Sequence, residues 1–331
     1  MNGYDREVSR TIPSAGAETL GVTDILLLFS SAFFAWNMGS HYAGSVAGTA
    51  YGSKALPMSW LLVITAMFTV VGSGVGSLGV VGTYSALLRG ATGLDIAAAQ
   101  MAAAIVTAVA TFLRLPTSTI QIYAFSTVGV ALERGLPFHG ALFGAIVVGW
   151  LCGPLAAFAL SFGFTKISGG LRLRDHEVTR WLLLITVAYS AFVLGSNDVS
   201  NAAASVVGVG LIGPRWAALL GGSLMAVGVL TWGRGTIERI GRDIVPLEIP
   251  SALTAQLSKA VSLTVVNALG YNASINQSIV GGLIGTGIAK NGRDVNWTVL
   301  RNIVLNWTLS PLLGTAAAIV AVMLFRTIPG T

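Results

Sequence analysis

A chain of 331 residues that is 54% hydrophobic and only 10% charged, with mean hydropathy +0.77, carries too few charges to cover a water-soluble globule of its size. Its net charge of +6 resides in the connections between apolar runs, the pattern of cytoplasmic loops and not of a nucleic-acid surface. No phosphate-binding loop ending in Gly-Lys-Ser/Thr appears, and His41, His139 and His176 show neither metal spacing nor a Ser-His-acid arrangement; a primary pump, an enzyme and a resident cofactor are all set aside.

In chain order, residues 1–22 read as a polar tail without a signal peptide's short apolar core. Apolar runs long enough to cross a bilayer follow near 24–38, 58–88, 95–115, 137–165, 181–195, 215–233, 251–270 and 300–325. This predicts an all-α, polytopic protein of the plasma membrane, surrounded by lipid. The expected division is a first repeat over 23–165, a basic loop over 166–180 and a second repeat over 181–331. Lys166, Arg172, Arg174 and Arg180 place the loop in the cytoplasm, although Arg234, Arg239 and Arg242 form a rival cluster. The single cysteine, Cys152, excludes a disulfide within the chain and reads as a small buried apolar residue.

The repeats are visible in the residues. Gly195-Ser196-Asn197-Asp198-Val199-Ser200-Asn201 has a counterpart 156 residues earlier, Gly39-Ser40-His41-Tyr42-Ala43-Gly44-Ser45. Ser118 and Gln121 meet Ser274 and Gln277 at the same offset, and Trp150 and Pro154 meet Trp307 and Pro311 at 157. In an apolar chain, such self-similarity points to a two-repeat transporter. Four polar or Gly/Ser-rich tracts, 39–53, 116–121, 195–213 and 272–278, do not read as ordinary spanning helix. Irregular backbone at membrane depth survives only when buried in protein or lining a cavity, so these tracts are the candidate site.

Asp198 follows a long apolar run, where an ionised carboxylate costs at least about 2.5–3.5 kcal/mol. With Asn197 and Asn201 it offers oxygen ligands to Na⁺; alternatively it carries a proton, or caps a broken helix. Ser118, Thr119, Gln121, Ser274, Asn276 and Gln277 offer uncharged donors, and a helix starting in each tract aims free N–H groups and a positive dipole end at an anion. Helix capping by Ser and Thr is the plainer alternative. His41 reads either as a proton-coupling group or as a neutral imidazole bonded to a carbonyl. Lys259, in mid-run, is too deep for snorkelling and is expected to act on the anion or to pair with Asp198. Gly44, Gly48 and Gly52, four apart, predict close approach of another backbone.

The strings 195–201, Pro116-Thr117-Ser118-Thr119, Tyr51-Gly52-Ser53-Lys54-Ala55-Leu56, Ile237-Glu238-Arg239-Ile240-Gly241 and Asn306-Trp307-Thr308-Leu309-Ser310-Pro311 resemble the inorganic phosphate transporter (PiT) family of cation-coupled symporters over nearly the whole chain. The resemblance implies two inverted repeats with broken and re-entrant helices. It also implies a tetrahedral anion at the Ser/Thr hairpins and a coupling cation, Na⁺ or H⁺, at Asn197, Asp198 and Asn201. Asn37 and Ser45 join the cation set as first-copy members, and His41 and Lys259 modify coupling. The first copy departs from the family's Asn-Asp pair, carrying His41-Tyr42. The segment Phe33-Phe34-Ala35-Trp36-Asn37-Met38-Gly39 looks more like the sulfate-permease branch. Phosphate near neutral pH keeps a proton and benefits from a carboxylate acceptor, whereas sulfate needs donors only. The expectation is therefore an oxyanion symporter working by alternating access, with sulfate favoured over phosphate. Phosphate symport and a passive anion channel remain the alternatives, and a homodimer is open to such a chain.

Overall fold

The computed structural model describes residues 20–76, 90–137, 140–168, 176–242, 244–268, 273–292 and 295–330. The expected tail before residue 20 and positions 169–175 of the expected basic loop lie outside them, as do residues 77–88 of the second apolar run. Eleven helices make up the described residues: α1 (Val22–Gly52), α2 (Met58–Gly76), α3 (Gly93–Phe112), α4 (Thr119–Arg134), α5 (Gly140–Ser168), α6 (His176–Gly208), α7 (Pro214–Trp232), α8 (Arg234–Arg242), α9 (Ile249–Ala268), α10 (Ile275–Lys290) and α11 (Trp297–Phe325). Seven contain a stretch long and apolar enough to cross a membrane. The expected run at 251–270 is not among them. Its helix, α9, is diluted by Ser251, Gln256, Ser258, Lys259 and Ser262, all buried inside the protein. The chain is an all-helical, multi-pass membrane protein.

Local chemistry sets the helix ends. Thr92 caps α3, its hydroxyl accepting from the Asp95 N–H while Asp95 reaches back to the Thr92 N–H. Pro214 opens α7, where its missing N–H is not needed. Gly135 closes α4 at φ 64°, a left-handed position that suits glycine. With 16 residues each, α4 and α10 extend about 24 Å, short of a hydrocarbon core of about 30 Å. They are half-helices, each entered through a non-helical residue pair at Thr117-Ser118 or Ala273-Ser274.

The two Gly/Ser-rich tracts correct the reading from sequence. Residues 39–52 continue α1 and 195–208 continue α6, without a break. Their small residues serve contact. A Cβ on Gly44 or Gly52 would strike the α8 backbone at Thr236 or Gly241, and one on Gly48 would meet Ile240. Gly195 is likewise held against the α2 backbone at Thr69. Cys152 is also corrected: it is exposed on α5, facing outward among Leu151 and Leu155.

Packing is interleaved between the repeats. α2 lies against α6 and its counterpart α7 against α1; α4 lies against α11 and its counterpart α10 against α5. Gly129 approaches the backbone of Thr315, and Gly285, 156 residues on, approaches that of Phe158. Side chains of both repeats interlock in the interior: α1 is tied to the first turns of α4 and α10 through Tyr42 and Ser45, and α6 is tied to α3 through Gln100.

Candidate functional site

The site begins with two equivalent caps. Ser118 and Ser274, both fully buried, take extended backbone angles before α4 and α10, and their hydroxyls accept from the N–H of Gln121 and Gln277 at 3.4 and 3.3 Å. The two glutamine amides then bond to each other, Gln277 Nε2 donating to Gln121 Oε1 at 2.9 Å and Gln121 Nε2 to Gln277 Oε1 at 3.4 Å. These partners are 156 residues apart, equivalent positions of the two repeats. The first turns of the half-helices therefore meet through equivalent residues, bringing free backbone donors and positive dipole ends together.

The first-copy signature on α1 is tied into these turns. Ser45 Oγ donates to Asn276 Oδ1, and Asn276 Nδ2 donates to Thr117 O. Thr119 Oγ1 donates to the Tyr42 hydroxyl at 2.6 Å. His41 Nδ1 lies 2.8 Å from Thr111 Oγ1, whose own proton goes to Thr107 O; Nε2 accepts from the Thr117 N–H at 3.2 Å. This assignment makes His41 a clamp on the α3–α4 connection. Asn37 Nδ2 donates to Phe33 O at 2.9 Å, and its buried Oδ1 has no hydrogen-bond partner among the described residues.

The second copy is less satisfied. Asn197 Nδ2 donates to Asp198 Oδ2 at 3.2 Å. Asp198 Oδ1 and both amide atoms of Asn201 are buried with no hydrogen-bond partner among the described residues. Leaving a buried polar atom unpaired costs about 1–3 kcal/mol, and more for a charged one. The donor set suits a hard cation: a carboxylate oxygen and amide oxygens, with none of the ion pairs among the described residues involving Asp198. Asp198 sits inside α6 and caps nothing. The expected pairing with Lys259 does not occur either, because the Lys259 ammonium donates to Ser45 O at 2.8 Å.

Two residues of the centre escaped the reading from sequence. Gln100 Oε1 accepts from Ser31 Oγ at 2.6 Å, while its Nε2 donates to Ser205 Oγ at 2.6 Å and Asn201 O at 3.2 Å. Gln256 Nε2 donates to Val46 O at 2.6 Å and its Oε1 accepts from Thr49 Oγ1 at 3.2 Å. These glutamines are again 156 apart, as are Thr49 and Ser205, so the repeat offset was the signal that would have found them.

Residues 38–180 and 172–321 each match the phosphate transporter family, two successive matches along the chain. A Methanocaldococcus jannaschii protein named "Putative phosphate permease" is 28% identical over 303 residues, covering 89% of this chain and 95% of that protein. The sulfate permease of Bacillus subtilis is 27% identical over 312 residues, covering 91% and 88%. A solved structure titled "The sodium-dependent phosphate transporter" superposes with a TM-score of 0.81 at 20% identity, covering 92% of this chain and 99% of that one, a likeness of fold. With two matches that span most of its length, the chain belongs to the phosphate transporter family.

Proposed function

We propose that this protein is a secondary active symporter that carries a tetrahedral inorganic oxyanion together with a cation, by alternating access around the centre where α4 and α10 meet. The observation that carries this reading is the Gln121–Gln277 pair, which joins equivalent half-helix N-termini from the two repeats. Ser118, Thr119, Gln121, Ser274, Asn276 and Gln277 bind the anion, through backbone donors of the first turns and through amides and hydroxyls that turn from each other to the anion. Asn197, Asp198 and Asn201 bind the coupling cation, with Asn37 contributing from α1; Ser45, expected in the same set, is engaged by Asn276 through its hydroxyl and by Lys259 through its carbonyl. The unpartnered Asp198 Oδ1 is the atom that most needs it. The names of relatives support Na⁺ as that ion, since a solved structure of the same fold is titled a sodium-dependent phosphate transporter.

Sulfate is the favoured anion. Among the described residues the buried carboxylates are Asp95 and Asp198, and Asp95 is already engaged by Arg134 at 2.9 Å. The half-helix turns thus offer donors without a carboxylate acceptor, which suits an anion that carries no proton. The sulfate permease among the relatives supports the same choice. Cation and anion stabilise one another in the site, and that coupling is reciprocal.

The test is uptake of radiolabelled sulfate and phosphate by proteoliposomes, with Na⁺ and pH gradients imposed separately. Gradient-driven accumulation of sulfate, with phosphate the weaker competitor at equal concentration, is expected. Flux that only follows the anion's own gradient, with no accumulation and no counterflow, would make the protein a channel. Better competition by phosphate would reverse the substrate assignment.

A further inference from the structure

The two signature segments, on α1 and on α6, differ in the buried charge that reaches them: α6 carries Asp198 itself, whereas α1 receives Lys259 from α9. Gln256 and Lys259 lie three apart on α9, hence on one face, and both hold α1: Gln256 at Val46 and Thr49, Lys259 at Ser45. The equivalent face of α3 carries Gln100 and Ala103, and Gln100 Nε2 holds α6 at Ala202 O and Ser205 Oγ, the counterparts of Val46 and Thr49, as well as at Asn201 O. The glutamine contacts repeat at equivalent positions, with the hydroxyl donating at Thr49 and accepting at Ser205. Their neighbours do not, because Lys259 stands where the other copy has Ala103, and both are fully buried. The helices they hold differ in the complementary way: α6 has Asp198, whereas α1 has Tyr42. Ser45, whose carbonyl receives the ammonium, is the counterpart of Asn201. No ion pair within 4.0 Å joins Lys259 to Asp198 among the described residues. The second copy therefore has a carboxyl side chain with one oxygen unpartnered among the described residues. The first has no carboxyl there and holds the Lys259 amino group instead.

We propose that the Lys259 ammonium is a tethered cation that takes, in the first repeat, the place of the ion that the second repeat binds at Asp198. This rests on the symport reading above and adds a stoichiometry to it: a single mobile cation accompanies each anion. A compact ammonium with several donors is the side-chain group nearest in kind to a bound alkali ion. Held at the carbonyl of Ser45, one helical turn from Tyr42, it places positive charge beside the residue whose hydroxyl donates to Asn276 of the anion site. It never leaves, so the first repeat contributes no ion flux.

The test counts ions. In proteoliposomes held at set membrane voltages, the voltage that cancels net sulfate flux under a known cation gradient gives the number of cations moved per anion. The wild type is expected to move one, with uptake rising hyperbolically with the driving cation. Lys259→Ala empties the first-copy position. Uptake at low cation concentration should fall at least tenfold, the Hill coefficient should rise from about 1 to about 2, and the null voltage should shift to two cations per anion. A wild-type count of two overturns the proposal without reference to any variant, so it holds even if Lys259→Ala does not fold. Active Lys259→Ala with wild-type steepness and null voltage overturns it as well. Absence of accumulation by the wild type under every gradient is a different failure: it removes the symport reading itself, and the tethered cation with it.

Discussion

Asp198 and Lys259 are the charged side chains with no measurable exposure among the described residues, and they serve different ends. Asp198→Asn keeps the shape and removes the charge, so coupled uptake should fall more than tenfold while any downhill leak persists; full retention under every gradient would remove Asp198 from the cation site. The Gln121–Gln277 pair has its own measure. In a double-mutant cycle with alanine, unfolding should show a coupling energy of about 0.5–1.5 kcal/mol, and zero coupling would mean that the two half-helices are not held by these amides. Asp198, Lys259 and the Ser118–Ser274 pair were legible because each breaks an apolar context or repeats at the offset. The destination of Lys259 was not: its partner is a backbone carbonyl on α1, a group every residue has and no sequence distinguishes. His41 posed the same difficulty, since Thr111 and Thr117 are distant in sequence and ordinary in composition.

At the scale of elements, the small-residue stripe of α1 was correctly read as a contact surface, but helix breaking was wrongly inferred from the same glycines. Isolated glycines weaken a helix by roughly 1 kcal/mol each, and packing against α8 outweighs that. Gly44→Leu should therefore lower stability in detergent by about 1–3 kcal/mol or more, read as a drop in unfolding temperature, while Gly163→Ala, where an added methyl meets nothing, should be neutral or stabilising. Equivalent basic residues, paired with acids at non-equivalent positions, pin the far ends of the half-helices. Arg134 pairs with Asp95 at 2.9 Å, and Lys290, 156 residues on, pairs with Glu248 at 2.8 Å. Asp95 is buried and Glu248 is exposed, so Arg134→Gln should destabilise far more than Lys290→Gln, whose cost should stay within about 1 kcal/mol. The Lys290 hydrogen bond, followed by its charge, holds the Glu248 carboxyl below its ordinary value. Its small contribution is present at neutral pH and fades as the pH falls through that lowered value. Equal losses from the two substitutions would contradict this ranking.

For the whole molecule, duplication determines how the chain is built and where it departs from symmetry. The apolar runs and the 156-residue offset made the two-repeat membrane fold readable before any coordinates. The interleaving of α4 with α11 and of α10 with α5 was not readable, because the backbone approaches that fix it are made at glycines such as Gly129 and Gly285, a residue that recurs throughout the chain. Within that frame the second copy keeps Asn197 and Asp198, and the first replaces them with His41 and Tyr42 while Lys259 delivers a charge from α9. The central claim is that this asymmetric centre couples an oxyanion to a cation. The most direct measurement is concentrative uptake of radiolabelled sulfate by wild-type proteoliposomes under an inward Na⁺ or H⁺ gradient. Accumulation above equilibrium that collapses when the gradient is dissipated is predicted; equilibration without accumulation under both gradients would contradict the account.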